Sequence, residues 1–241
     1  MTIERIAIVG TGTDVGKTVL SLLIMQFLFR AGHAPLYIKP FQTGCSGPES
    51  PGTDAAFIYR HIPELAGSDP AGSVINCHET PKAPYFAARD MGLTIDVDAT
   101  LAAIREKEHE TMNGRTVSHL VVEAAGGLLV PVTPDMTVAD FIARAEARPV
   151  IAAHAGLGTI NHTLLSLQCL ERMGINPAGV VFMETGPVPT PPDMVAENME
   201  AVESLSGIRV AGVIPFMTDF RFPDPDPAVD RVIETVLKSR V

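Results

Sequence analysis

The sequence has 241 residues, 46% of them apolar, and a formal net charge of −10 at pH 7. That apolar share over that length excludes a disordered polymer and allows one large buried core. The acidic balance excludes a general electrostatic partner of nucleic acid or anionic membrane, yet leaves room for a small anion held by a few local groups.

Residues 6–9 are an apolar run that reads as a buried strand. Gly10-Thr11-Gly12-Thr13-Asp14-Val15-Gly16-Lys17-Thr18 follows, and residues 17–31 then carry a helical apolar pattern that stops at Gly32. Strand, glycine-rich turn and helix in that order make a phosphate-binding loop, or P-loop. The glycines let backbone N–H groups converge on an anion. The helix N-terminus adds partial positive charge at the same point. Lys17 can reach the β- and γ-phosphates of a nucleotide, and the Thr18 hydroxyl can ligate Mg²⁺. Gly10 and Gly16 enclose five residues, one more than the usual loop, so the motif is a variant.

Residues 35–38 read as the next strand, closed by Lys39-Pro40 and then Phe41-Gln42-Thr43-Gly44. Lys39 is either a solvated lysine at a strand end or a second cation over the phosphates. A Gly-, Pro- and Ser-rich loop spans 44–52. Thr53 and Asp54 then open a helix as N-cap and first-turn acid. Asp54 either complements the helix dipole alone or holds Mg²⁺ beside Thr18. Residues 63–83 are mixed, with a short strand at 73–76. A helix over 98–112 ends near Asn113-Gly114. The strand at 119–123 ends in Glu123, followed by Ala124-Ala125-Gly126-Gly127. An acid at the tip of an apolar strand resembles a Walker-B arrangement and, once buried, needs a cation as partner. Gly126 and Gly127 let a substrate approach the backbone.

A helix over 138–147 and a strand over 150–153 lead to His154-Ala155-Gly156-Leu157-Gly158-Thr159-Ile160-Asn161-His162. This glycine turn before a helix over 160–173 is either ordinary turn chemistry or a cradle for a carboxylate. A strand at 179–182, a proline-rich connector at 186–192, a helix at 195–205, a strand at 210–214 and a helix at 228–238 complete the chain. The alternation predicts an α/β fold: a doubly wound, mainly parallel sheet in a single P-loop NTPase-like domain over residues 1–241. Ligands of such sheets lie at the carboxyl ends of the strands, where these motifs fall. No apolar stretch is long enough for a bilayer. The opening residues carry no signal-peptide pattern. Cys45, Cys77 and Cys169 form no Cys-x-x-Cys pair, so neither zinc nor a disulfide framework is expected, and a reducing cytoplasm fits.

Taken together, the motifs resemble the dethiobiotin synthetase family. The family's Gly-Thr-Asp-Thr-x-Val-Gly-Lys-Thr is matched by Gly10 to Thr18, with Gly12 for Asp. Its Lys-Pro-x-x-Ser/Thr-Gly is matched by Lys39 to Gly44, and its Asp-Ala helix start by Asp54-Ala55. Its Glu-Gly-Ala-Gly-Gly is matched by Glu123 to Gly127, with Ala124 for Gly. Its Leu-Gly-x-Ile-Asn-His-Thr-Leu-Leu is matched by Leu157 to Leu165. Glu79-Thr80-Pro81-x-Ala83-Pro84 resembles its Pro-rich substrate loop, with Tyr85 where a His often follows.

The resemblance implies a reaction: 7,8-diaminononanoate takes up CO2 as a carbamate, ATP phosphorylates it, and the second amine closes a cyclic urea. It implies Lys17, Lys39 and Mg²⁺ as charge neutralisers, and Thr18, Asp54 and Glu123 as metal holders. Thr13 and Thr43 would orient carbamate or substrate, and Asp14 would lie near the amines. The turn Gly156, Leu157, Gly158, Asn161 would take the substrate carboxylate across a homodimer interface. Pro215, in Val213-Ile214-Pro215-Phe216, falls in the family's nucleotide-side loop. The family commonly reads adenine with an Asn where Met183 or a neighbour stands; Met has no amide for a base edge, so relaxed base use or different purine contacts are expected. Three other readings remain, one of them a family member that binds nucleotide but has lost catalysis or changed substrate, to which Gly12, Ala124 and Met183 point. An amide-forming synthetase acting on a corrin precursor usually carries a glutaminase domain, for which this chain lacks room. A partition-type ATPase that binds DNA or membrane usually has an additional early P-loop lysine, where this chain has Thr11.

Overall fold

Apolar residues in consecutive strand positions bury both faces of a sheet, and Ile6 and Ile8 pack on one side while Ala7 and Val9 pack on the other. The computed structural model describes residues 3–112, 114–220 and 226–238. The elements of the first half are β1 (Glu4–Gly10), α1 (Lys17–Arg30), β2 (Pro35–Thr43), α2 (Asp54–Arg60), β3 (Val74–His78), α3 (Pro84–Asp90) and α4 (Val97–Lys107). A small hairpin, β4 (Thr111–Met112) with β5 (Arg115–Thr116), precedes β6 (His119–Gly127). Then come α5 (Val138–Arg144), β7 (Arg148–His154), α6 (Thr159–Arg172), β8 (Gly179–Met183), α7 (Pro192–Ser206), β9 (Val210–Ile214) and α8 (Pro227–Lys238).

Seven strands form one parallel sheet in the order β3-β2-β6-β1-β7-β8-β9. The chain winds outward from β1 to β2 and β3, then returns to insert β6 between β1 and β2. Strands β7 to β9 then wind the other way. The sheet therefore reverses direction around β1, and a crevice at the carboxyl ends belongs there. Tyr37, Val121 and Val181 pack with α1, α2 and α8 on one face. Ile38, Val122 and Val180 pack with α4 to α7 on the other.

Several expected boundaries shift. The helix foreseen over 98–112 ends at Lys107, and residues 111–112 turn into the hairpin, where β-branched Thr111 suits a strand; Asn113 lies outside the described residues. The helix foreseen over 138–147 ends at Arg144, because Glu146 takes a left-handed φ of 52°. Lys39 and Glu123 are not strand tips: β2 runs on to Thr43 and β6 to Gly127. Each tolerates a charge in mid-strand because the other lies beside it. Among the described residues no helix is long and apolar enough to cross a membrane.

Candidate active site

The P-loop leaves β1 at Gly10 and continues along β7, where the Thr11 N–H donates to the Ala152 carbonyl at 3.0 Å. A Cβ on Gly10 would lie 2.6 Å from the Gly12 carbonyl oxygen and 2.7 Å from Val15 Cγ2, so the turn closes only over glycine. Asp14 and Gly16 carry left-handed φ values of 57° and 90°. Gly16 precedes α1, which has no side-chain cap, leaving its first-turn N–H groups for an anion. The Lys17 ammonium folds over the loop and donates to the Gly12 carbonyl at 2.8 Å. Burial pulls the Lys17 pKa below its ordinary value; Glu123 opposes that shift and Lys39 adds to it.

Inserting β6 between β1 and β2 brings the remaining charged groups to α1. Glu123 is 1% exposed. Its Oε1 accepts from Thr18 Oγ1 at 2.9 Å and from Lys39 Nζ at 2.8 Å. Its Oε2 accepts from Ser21 Oγ at 3.0 Å and Tyr37 Oη at 2.9 Å. Lys39 Nζ also lies 2.7 Å from Asp54 Oδ2. Burial lowers the Lys39 pKa, but Glu123 and then Asp54 outweigh it, and the net shift is upward. Burial likewise lifts Asp54, and the Lys39 charge more than reverses this, so Asp54 ends below the usual carboxylate range. Lys39 is therefore a buried ammonium clamped between two carboxylates, which overturns the solvated alternative.

Thr18 Oγ1 lies 3.0 Å from Asp54 Oδ1 as well as 2.9 Å from Glu123 Oε1. One hydroxyl proton can serve only one carboxylate at a time. Three oxygens carrying two negative charges thus converge on one point, a donor set that fits Mg²⁺. The N-cap Thr53, accepting from Ala56 N, and Gln42 Oε1, accepting from Asp54 N at 3.0 Å, fix the start of α2 and so aim Asp54.

Thr13, Asp14, Thr43 and Gly126 line the same cleft, of about 670 Å³, as Lys17 and Lys39. The segment 81–84 forms its outer wall. Gly12 and Gly127 lie on the far side of the P-loop, facing a second groove of about 470 Å³. Val15 packs back toward Gly10. Gly156, Leu157, Gly158 and Asn161 form the turn into α6, outside the cleft of their own chain, with Leu157 91% exposed. Pro215 is exposed beyond the end of β9 and also outside that cleft. Met183 is buried at the end of β8, and its side chain packs under Gly16, about 3 Å from where a Cβ would stand. It supports the loop.

Sequence reasoning missed Ser21 and Tyr37. Both signals were present: Ser21 is a polar residue within an apolar helix, one turn beyond Lys17 and Thr18, and Tyr37 shares a strand face with Lys39. Tyr37 donates to Glu123 Oε2, Ser21 shares its one proton between Oε2 and the Lys17 carbonyl at 2.9 Å, and Oε1 is left turned toward Thr18. Tyr37→Phe is expected to keep the fold and weaken Mg²⁺–nucleotide binding by about 10-fold, since the carboxylate loses that donor. Calorimetric titration with and without Mg²⁺ measures this.

A parallel sheet with a P-loop after its central strand, an acid on the neighbouring strand and a buried lysine beyond it define a P-loop NTPase-like protein. Solved structures agree in fold. The septum site-determining protein MinD of Pyrococcus horikoshii with Mg-ADP superposes with a TM-score of 0.60 at 12% identity, covering 98% of this chain and 97% of that one. A chain of the MinC:MinD cell division protein complex of Aquifex aeolicus gives 0.58 at 16%, covering 97% and 94%. A family model described as an AAA domain matches residues 4–223. The ATP-dependent dethiobiotin synthetase BioD of Idiomarina loihiensis is 30% identical over 212 residues, 87% of this chain and 91% of that protein. The one from Afipia carboxidovorans is 33% identical over 214 residues, 88% and 87%. The chain belongs to the dethiobiotin synthetase family.

Proposed function

We propose that this protein is an ATP-dependent cyclo-ligase that carboxylates 7,8-diaminononanoate with CO2 and closes the ring to dethiobiotin. The observation that carries the reading is the convergence of Lys17, Lys39, Thr18, Asp54 and Glu123 at the mouth of the P-loop. One amine of the substrate adds to CO2 and releases a proton, giving a carbamate. A carbamate oxygen attacks the γ-phosphorus of ATP and ADP leaves, giving a carbamic–phosphoric anhydride. The second amine attacks the carbonyl carbon and expels phosphate.

In this scheme Lys17 and Lys39 carry positive charge to the transferring phosphoryl group. Thr18, Asp54 and Glu123 would hold Mg²⁺, which neutralises phosphate oxygens when bound. Asp14 attracts the substrate amines, and the Thr13 and Thr43 hydroxyls donate to the carbamate. Val15 and Gly16 shape the phosphate cradle and Gly126 leaves room beside it, whereas Gly12, Gly127 and Pro215 lie outside this cleft and could serve the nucleotide only from beyond it. Because Met183 offers no amide at the position where the family's adenine-reading Asn is expected, base selection is weak or rests on other purine contacts; relaxed use predicts that ATP, GTP and CTP support turnover within about 10-fold of one another, and a strong ATP preference would refute it.

The active form is a homodimer in the cytoplasm. Leu129 and Leu165 are exposed beside the 470 Å³ groove, and Leu157 projects from the next turn. Pairing these surfaces would bring the partner's helix N-terminus toward the cleft as a carboxylate cradle. Leu165→Glu is expected to give monomers in sedimentation and to raise the KM for the diamine.

Phosphate release that requires both the diamine and bicarbonate tests the function itself. Release stimulated instead by DNA or lipid, and indifferent to the diamine, would replace it with a partition-type switch.

A further inference from the structure

Two cysteines far apart in sequence meet at the edge of the sheet. Cys77 is on β3, where its neighbours set the register Gln42↔Cys77 and Thr43↔His78 with β2. Gly44 turns the chain back at a left-handed φ of 81°, its N–H donating to the His78 carbonyl at 2.9 Å. That reversal lays Cys45 over Cys77. Their sulfurs are 2.9 Å apart, and both residues are partly exposed. Cys169 lies in the other groove, away from both.

We propose that Cys45 and Cys77 are a reversible modification site that low-molecular-weight aliphatic disulfides oxidise to an intramolecular disulfide. The Cys45 thiolate attacks one sulfur of the oxidant and displaces a thiolate, giving a mixed disulfide. Cys77 then loses its proton to solvent, its sulfur attacks Cys45 Sγ, and the second thiolate leaves. Two protein thiols are oxidised, and one small disulfide is reduced to two thiols. The sulfurs need only close to the bond length of about 2.05 Å, so backbone movement is small. The bond would staple the loop between Thr43 and Asp54 to the edge strand. Burial, then the neighbouring Cys45 and the Glu49 and Glu79 carboxylates, pushes the Cys77 thiol up to about 12. Closure therefore quickens as pH rises.

The test is incubation of the full chain with oxidised glutathione, followed by intact mass and thiol mapping. The expected product is lighter by two hydrogens, with Cys45 and Cys77 blocked, Cys169 still open to alkylation, and full reversal by dithiothreitol. Its thermal midpoint should rise by about 5 °C, because the bond closes a long loop without distorting the native state. Cys77→Ser should retain glutathione on Cys45 as a stable adduct, and Cys45→Ser should form no ring and react far more slowly at Cys77. Two unchanged thiols, a doubly glutathionylated protein, a lowered midpoint, or ring closure in either serine variant would overturn the proposal. None of these readouts depends on the synthetase reaction.

Discussion

Lys39→Ala is expected to lower turnover by at least about 10³-fold while changing ATP affinity only a few-fold. The ammonium lies 2.8 Å from Glu123 and 2.7 Å from Asp54, beside the lysine of the P-loop. In the proposed reaction its charge would be most valuable when negative charge develops on the transferring phosphoryl group, whereas ground-state nucleotide would be held by Lys17 and the α1 N-terminus. A second effect acts on stability. Without Lys39, two carboxylates face each other and Glu123 is left buried without its cation, which costs about 3–5 kcal/mol. Mg²⁺ with nucleotide should restore most of that loss, since it brings positive charge to the same oxygens. A melting curve with and without Mg-ADP separates the two effects. Turnover that survives in a folded Lys39→Ala variant would remove this residue from the chemistry.

The second large effect is expected from Gly10→Ala, which should weaken nucleotide binding by at least about 100-fold. The added Cβ would meet a backbone oxygen at 2.6 Å, and the Lys17 ammonium would lie 3.1 Å away. Backbone cannot yield there without opening the cradle. Gly12→Ala is the internal control. A Cβ at Gly12 meets nothing nearer than Val15 Cγ1 at 4.0 Å, so binding should change only a few-fold. Fluorescent-nucleotide titration of both variants decides it; equal losses would mean that Cβ clash is not what constrains the loop.

The fold was largely legible because its strands are apolar on both faces and its helices end at recognisable glycines, as at Gly32 and Gly207. The P-loop was legible for the same local reason. The partners of Glu123 were less so. Ser21 and Tyr37 show their role only once β6 is known to lie between β1 and β2, a fact of topology that no local pattern encodes. Lys39 and Glu123 were misread as strand tips because a lone charge usually ends a strand, and each is tolerated only through the other. Met183 was taken for a base-facing position, yet packing under Gly16 claims its side chain. The Cys45–Cys77 contact depends on the register of β2 with β3 and the reversal at Gly44, which spacing in the sequence does not reveal.

The late arrival of β6 has a consequence for biosynthesis. As the chain emerges from the ribosome, β1 and β2 are made long before the strand that separates them. Until residues 119–127 appear, β2 can take its native partner β3, but the edges of β1 and β2 that later receive β6 can pair only with each other or with a foreign edge, and either of those pairings must be undone. Nascent chains halted before residue 119 should therefore be the species most in need of a chaperone, and the cluster of Thr18, Lys39, Asp54 and Glu123 at α1 cannot mature until β6 is made.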